Sequence, residues 1–503
     1  MKAHLLYADA DFDLTAELAP HSDDLIRDLE LDTMLAAMAA GDSFLLDISR
    51  RVLLTSLTDL STVRYRQEIL ADCIAEPDII RQMYGIAVGA LKDRRGVWGF
   101  WASASPASIL SGAINQLEVL IVRLRELRQI ADDRGGKFRA PGLTAFFGSL
   151  QRELDDEYFS TLSRHLRQLR FRNGELLSGE LGADNSAINY VLRAGGSRRS
   201  WKERVGIEPR SSYSFSIPPR DEAGSQALQD MTSRALNLVA NAAAQSADHV
   251  SSYFTMLRAE LGFYVSCLNL RDRLMAGGQP VTFPVPTPWT RWELTCEDLR
   301  DTSLALHIDG VAGNDVDAGG KSLIIITGAN SGGKSTFLRS VGLAQLMMQC
   351  GMFVTARSLR ASVCQQLFTH FIREEDAAMV SGRLDEELSR MSTIAERISP
   401  HCVVLFNESF AATNEREGSE IGRQVVRALL ESGVRVFFVT HQFDFADSFH
   451  RQHRDSTLFL RAPRQPDGRR TFRLTVAEPL PTSYGEDIYH RIGGWLGETS
   501  ALW

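Results

Sequence analysis

The densest chemical signal in this 503-residue sequence is a run of eight residues, Gly328-Ala329-Asn330-Ser331-Gly332-Gly333-Lys334-Ser335, with Thr336 directly behind it. It fits GxxxxGK[ST], and it falls between an apolar β-type stretch, Leu323 to Thr327, and a helical pattern running through Leu346. Glycines let successive backbone N–H groups turn inward around phosphate oxygens, and the first turn of a helix adds partial positive charge. Lys334 is then placed for the β- and γ-phosphates of ATP, and Ser335 offers a hydroxyl to Mg²⁺. A plain glycine-rich connection would account for the turn. It would not account for the strand, the lysine and the serine together.

Two later strand ends supply the remaining chemistry. Val403 to Phe406 leads into Asn407 and Glu408, which makes Glu408 the candidate general base for an attacking water. Val439-Thr440-His441 places an imidazole where it could meet a γ-phosphate or that water, although a histidine at a strand end is often only a hydrogen-bonded structural residue. Lys334, Glu408 and His441 are the candidate catalytic residues, and Gly328 to Thr336 the candidate nucleotide-binding loop.

Short buried strands alternating with helical stretches from Lys321 onward require a mainly parallel sheet with helices on both faces. Upstream the pattern is helical: Ile114, Leu117, Leu120, Ile121, Leu124 and Leu127 fall on one face, with Arg123, Arg125 and Arg128 expected outside the packing. Glu222 to Met275 contains no proline, and as one helix would span about 80 Å, with Ser246 or Gly262 as candidate breaks. Arg172 to Pro219, rich in Gly, Ser and Arg, reads as loops with short strands. The proline-rich Gly277 to Pro288 reads as a boundary, giving a helical region 1–284 with an insertion at about 172–219, then an α/β domain 285–503 with a C-terminal tail.

Composition sets outer limits. With 44% hydrophobic and 23% charged residues the chain is globular, and a net charge of −8 confines any nucleic-acid contact to local basic patches. Six scattered cysteines without a CxxC pair read as buried thiols. No stretch is expected to reach the roughly 18 apolar residues of a membrane span. Together these predict a cytoplasmic protein without membrane contact.

Taken in order, Ile326 to Ala356, Val404 to Gly418 and Phe438 to Ala446 resemble the ATPase domain of the MutS mismatch-repair family. Val311 to Asp315 and the segment Asp32 to Tyr84 are similar to it in arrangement. The resemblance implies an ABC-type P-loop ATPase domain behind a helical core and lever region. It implies ATP and Mg²⁺ as cofactors, with Ser335, Asn407 and Glu408 holding the metal. It also implies a homodimer that sandwiches ATP against a signature loop, here Val380 to Met391, and DNA as partner, contacted mainly through its backbone or structure. Arg164, Arg167, Arg170, Arg172 and Arg193 to Arg204 are the candidate phosphate contacts.

The sequence departs from that family pattern in three places. Asn407 stands where the family usually has the Walker B aspartate, which implies slow hydrolysis. The signature region lacks the Ser-Thr-Phe run. The mismatch-reading domain is not expected before Asp32, and the only Phe-x-Glu in the sequence, Phe406-Asn407-Glu408, is expected within a buried strand. The expected function is an ATPase that changes its grip on DNA in repair or recombination without reading mismatches directly; the alternative is an ATP-binding dimeric scaffold with little turnover.

Overall fold

The computed structural model describes residues 1–98, 105–171, 174–183, 187–193, 216–373, 382–452, 454–465 and 469–481. Helices α1 (Ser22–Asp28), α2 (Leu31–Ala39), α3 (Ser43–Leu54), α4 (Leu60–Ala75), α5 (Pro77–Trp98), α6 (Pro106–Arg134), α7 (Pro141–Glu153) and α8 (Asp156–Leu169) come first. A hairpin, β1 (Leu176–Leu181) and β2 (Ala187–Arg193), and the long helix α9 (Glu222–Ala276) follow. Packing divides the chain into two units, Met1–Ala3 with Asp78–Arg139 and Leu143–Leu261, and His4–Pro77 with Ala140–Gly142 and Gly262–Trp503.

The first unit is helical apart from its hairpin. Ser105 starts α6 by accepting from the Ser108 amide, with Pro106 preset for the first helical position. The apolar stripe read from the sequence is its buried face: Leu117, Leu120, Leu124 and Leu127 are all buried. Gln116 crosses from α6 to Ser251 of α9 through a buried 2.8 Å hydrogen bond. The flanking arginines are not idle, contrary to expectation. Arg123 pairs with Asp93 at 2.7 Å and with Glu126, and the Arg125 guanidinium lies 4.3 Å from the Phe159 ring centre. Helix α6 is also apolar enough over 18 residues to cross a bilayer, which corrects the expectation that no such stretch exists; half of that window is buried within the protein. Helix α9 runs unbroken for 55 residues, past both candidate breaks. Ser246 fits because its hydroxyl bonds back to the Ala242 carbonyl at 2.8 Å instead of competing for the next turn. β1 and β2 pair antiparallel with a register shift between Ser178 and Glu180.

The second unit carries two sheets. Strands β3 (Val285–Thr287), β4 (Leu294–Leu299), β5 (Asn314–Asp317) and β7 (Ser358–Ser362) form one, in the order β3-β7-β4-β5, and the short helix α10 (Thr302–Ala305) follows β4. The larger sheet contains β6 (Leu323–Gly328), β8 (Leu367–Phe371), β9 (Val403–Asn407), β10 (Arg435–Val439), β11 (Thr457–Ala462) and β12 (Thr475–Val476), in the order β12-β11-β6-β10-β9-β8. All its neighbours are parallel except β12, which pairs antiparallel with β11.

Side chains alternate across these strands, so each face has its own helices. Ile325, Val404, Phe406, Val436 and Phe438 share one core with residues of α12 (Arg383–Ala395), α13 (Glu415–Glu431) and α14 (Phe443–His450). Leu405 points the other way, against Gly342 of α11 (Lys334–Gln349), where a β-carbon would come within 2.9 Å of it. Phe406 stacks on Phe438, and Phe438 on Phe445, with ring centres 5.0 and 4.4 Å apart. All six cysteines are buried and unbridged.

Candidate functional site

The site lies where β6, β10 and β9 end side by side, the carboxyl edge at which open α/β sheets present their ligand crevice. β6 ends at Gly328, which adopts φ +105°; a β-carbon there would come within 2.5 Å of the Ala462 carbonyl on β11. The loop continues through Ser331 (φ +55°) to Gly333 (φ +90°), then enters α11 at Lys334. Among the described residues no side chain caps this helix, so its first amides face the loop cavity. Ala329 N–H donates to the Ala462 carbonyl at 3.2 Å, anchoring the loop to β11, and the Asn330 carbonyl accepts from Arg470 Nε at 3.3 Å.

Lys334 is 6% exposed, and its ammonium donates to the Gly328 and Ala329 carbonyls at 3.1 and 3.2 Å. Burial lowers its pKa below the ordinary lysine range; nearby Glu408 favours the charge and Arg470 opposes it. Ser335 Oγ donates to Asn407 Oδ1 at 2.7 Å. Ser331, Gly332, Gly333, Lys334, Ser335 and Thr336 form one wall of a cavity of about 360 Å³.

Glu408 follows directly on β9 with φ +54°, and its amide donates to the Val439 carbonyl at 2.9 Å. His441 follows β10. Its Nδ1 lies 2.5 Å from Glu408 Oε2, and its backbone N–H donates to the same oxygen at 3.2 Å. The bond to Glu408 raises the imidazole pKa above its ordinary value, with burial acting the other way. The structure thus brings Lys334, Ser335, Asn407, Glu408 and His441 to one edge of one sheet. Ser335, Asn407 and Glu408 offer hydroxyl, amide and carboxylate oxygens, a donor set that suits Mg²⁺ completed by water and phosphate. Among the described residues no cluster of three or more His, Cys, Asp or Glu could hold a metal without such help.

Sequence reasoning missed the apolar part of the cavity lining. Leu304, Ile308, Val311 and Phe472 form it, with the Phe472 backbone lying against Gly333 of the loop. Asn314 secures Phe472: its amide donates to the Phe472 carbonyl at 3.3 Å and its oxygen accepts from Leu474 N–H at 2.7 Å. The only sequence cue was the proximity of Val311 to Asp315 to β6. Two other aromatic residues, Phe353 and His307, do not line this cavity: Phe353 is fully buried in the core and His307 lies 3.3 Å from Thr33 Oγ1.

Among the candidate DNA contacts, Arg170 is held by Glu118 at 2.7 Å and by Asn115. Arg172, the stretch 194–204, Ser381 of the expected signature loop and the C-terminal tail from Gly493 lie outside the described residues.

Comparison with known proteins covers both halves of the chain. Residues 58–276 match the family model described as MutS2 N-terminal domain, and residues 324–491 match MutS domain V. The chain belongs to the MutS family. Among curated MutS relatives, the probable DNA mismatch repair protein Msh6 of Drosophila melanogaster is 34% identical over 132 residues, 26% of this chain and 11% of that protein. The DNA mismatch repair protein MutS of Desulfosudis oleivorans is 28% identical over 248 residues, 44% of this chain and 27% of its own length. That of Chloroflexus aurantiacus is 33% identical over 134 residues, 26% and 14% respectively. The matched stretches therefore span about a quarter or less of these relatives.

Proposed function

We propose that this chain is a DNA-associated ATPase whose ATP-binding and hydrolysing centre is the glycine-rich loop with Glu408 and His441. The observation that carries the reading is the convergence of Lys334, Ser335, Glu408 and His441 at the ends of three adjacent parallel strands. In this reading residues 285–503 form an ABC-type P-loop domain behind the helical region 1–284. The loop amides and Lys334 cradle the phosphates, Lys334 exchanging its two carbonyl partners for phosphate oxygens. The adenine takes the apolar wall of Ile308, Val311 and Phe472. Mg²⁺, when bound beside Ser335, Asn407 and Glu408, neutralises charge on the phosphate oxygens. Glu408 accepts a proton from the attacking water, and His441 fixes the orientation of its carboxylate.

The names of the relatives, all DNA mismatch repair proteins, support DNA as the partner and repair or recombination as the setting. We further infer a cytoplasmic homodimer with ATP at its interface that holds DNA through its backbone or structure. One observation favours a second reading, an ATP-gated scaffold with little turnover: Asn407, a neutral residue, occupies the place beside Ser335 where a carboxylate would tighten the hold on Mg²⁺.

Steady-state ATP hydrolysis with single-stranded, duplex, mismatched and branched DNA separates the two readings. Turnover lost in Lys334→Ala and in Glu408→Gln establishes the enzyme. Tight ATP binding with no turnover on any DNA establishes the scaffold, and unchanged turnover in both variants defeats the assignment of the site.

A further inference from the structure

The residue that must aim a catalytic carboxylate sits in an awkward piece of backbone. Glu408 and Phe410 both adopt left-handed φ values, +54° and +61°, on either side of Ser409. Neither is glycine, and such a turn persists only where its surroundings dictate it. The surroundings here are three polar side chains from three other elements. Ser409 Oγ lies 2.5 Å from the His370 carbonyl and 2.8 Å from His370 Nδ1 on β8. The Phe410 N–H donates to Glu387 Oε2 on α12, and the Phe410 carbonyl accepts from Gln442 Nε2 at 3.2 Å.

Glu387 is the unusual member of this set. It is 1% exposed, its Oε1 has no hydrogen-bond partner among the described residues, and its backbone carbonyl accepts from His370 Nε2 at 2.9 Å. A buried carboxylate that satisfies a single amide is a poor way to stabilise a fold, because its desolvation exceeds what one hydrogen bond returns. Its placement answers a different need. Its side chain grips the backbone two residues beyond Glu408, and its main-chain carbonyl holds His370, which in turn contacts Ser409 of that turn.

We propose that Glu387, supported by His370, is a positioning residue for Glu408: it holds the left-handed turn that points the Glu408 carboxylate at the phosphate site. This rests on the ATPase reading given above. Because the grip comes from α12, any displacement of that helix releases the aim of Glu408 without touching the loop that holds the nucleotide.

The test uses the full chain and measures ATP turnover, with and without DNA, alongside the affinity for a fluorescent ATP analogue. Glu387→Ala is expected to lower kcat by about ten- to a hundredfold, the range for a misplaced catalytic group, with analogue affinity within about twofold of the unsubstituted chain. Glu387→Gln keeps an oxygen for the Phe410 amide and restores most of the rate. Thr393→Ala, at an exposed position further along the same helix and outside the expected signature segment, leaves both readouts unchanged. Parallel loss of affinity and rate in Glu387→Ala without rescue by Gln marks a merely structural residue and overturns the proposal, as does an undiminished kcat. If Glu387→Ala does not fold, Glu387→Asp replaces it: its shorter side chain withdraws the acceptor, so equal rates for the Asp and Gln variants overturn the proposal. An unsubstituted chain that never turns ATP over defeats the ATPase reading itself; turnover insensitive to Glu387 defeats only the positioning.

Discussion

Ser335 donates its hydroxyl to Asn407 Oδ1 at 2.7 Å, joining the start of α11 to the end of β9 through two neutral groups. The same contact made to a carboxylate would be charge-assisted, roughly twice as strong, and would place a negative charge beside the metal. Asn407→Asp is therefore expected to lower the Mg²⁺ concentration needed for half-maximal ATP turnover by about tenfold, equivalent to about 1.4 kcal/mol. A Mg²⁺ titration of steady-state hydrolysis measures this. An unchanged midpoint would mean that the position does not sense the metal.

Gly351 explains itself through the helix it ends. Met352 N–H bonds to the Met347 carbonyl at 2.8 Å and Gly351 N–H to the Met348 carbonyl at 3.0 Å, the paired bonds of a Schellman close, with Gly351 at φ +86°. A β-carbon here would also collide with the buried side chain of Arg66, whose guanidinium donates to the Leu6 carbonyl at 2.8 Å. Gly351→Ala should cost about 2 to 4 kcal/mol, the left-handed penalty plus overpacking. Urea unfolding reads the loss directly; a loss of only about 1 to 2 kcal/mol would show that Arg66 moves aside and leaves the left-handed penalty alone, and a change under about 0.5 kcal/mol would refute both contributions.

These two sites mark the limit of what the sequence discloses. The glycine-rich loop, its strand and its helix are contiguous, so their pattern is local and was readable, as were the strand ends at Glu408 and His441. That Glu408 and His441 meet follows from β9 and β10 lying side by side, with Asn407 level with Val439. Phe472 and Asn314 were not readable as a pair, because 158 residues separate them and they belong to segments of different sheets, Asn314 on β5 and Phe472 between β11 and β12. His370 and Glu387 were missed for a different reason. A polar residue in an otherwise mixed stretch looks like a solvent-facing one until burial is known. The same blindness put Arg123 and Arg125 outside the packing, although their long side chains lie against Asp93 and Phe159.

His370 also gives the fold a defined acid limit. Burial takes its pKa from 6.5 to about 4, and Arg390 and Arg373 nearby oppose any further charge. With the folded value below the unfolded one, the unfolded chain binds more protons between pH 6.5 and 4, so this contribution is complete above about 6.5 and declines as pH falls to 4. The full span corresponds to about 3 kcal/mol. Urea unfolding at pH 7 and pH 5 should show a loss in the unsubstituted chain. His370→Asn should begin less stable at pH 7 and show a smaller loss between the two pH values; an equal loss would assign the acid sensitivity to other groups.

Lys334 presents the opposite balance between stability and use. It is a nearly buried cation whose hydrogen bonds among the described residues go to the Gly328 and Ala329 carbonyls, and burial already disfavours its charge. Replacing a buried charge by an apolar side chain of similar length is commonly neutral or stabilising. Lys334→Met is thus expected to leave the thermal midpoint unchanged or raise it by about 2 to 4 °C, in step with about 1 kcal/mol, while abolishing binding of a fluorescent ATP analogue. Thermal unfolding with and without that analogue separates the two effects: the unsubstituted protein gains stability on adding nucleotide and the variant gains none. A variant that unfolds well below the unsubstituted chain would instead make the two loop carbonyls dependent on Lys334, and its loss of nucleotide binding would then be a consequence of a collapsed loop.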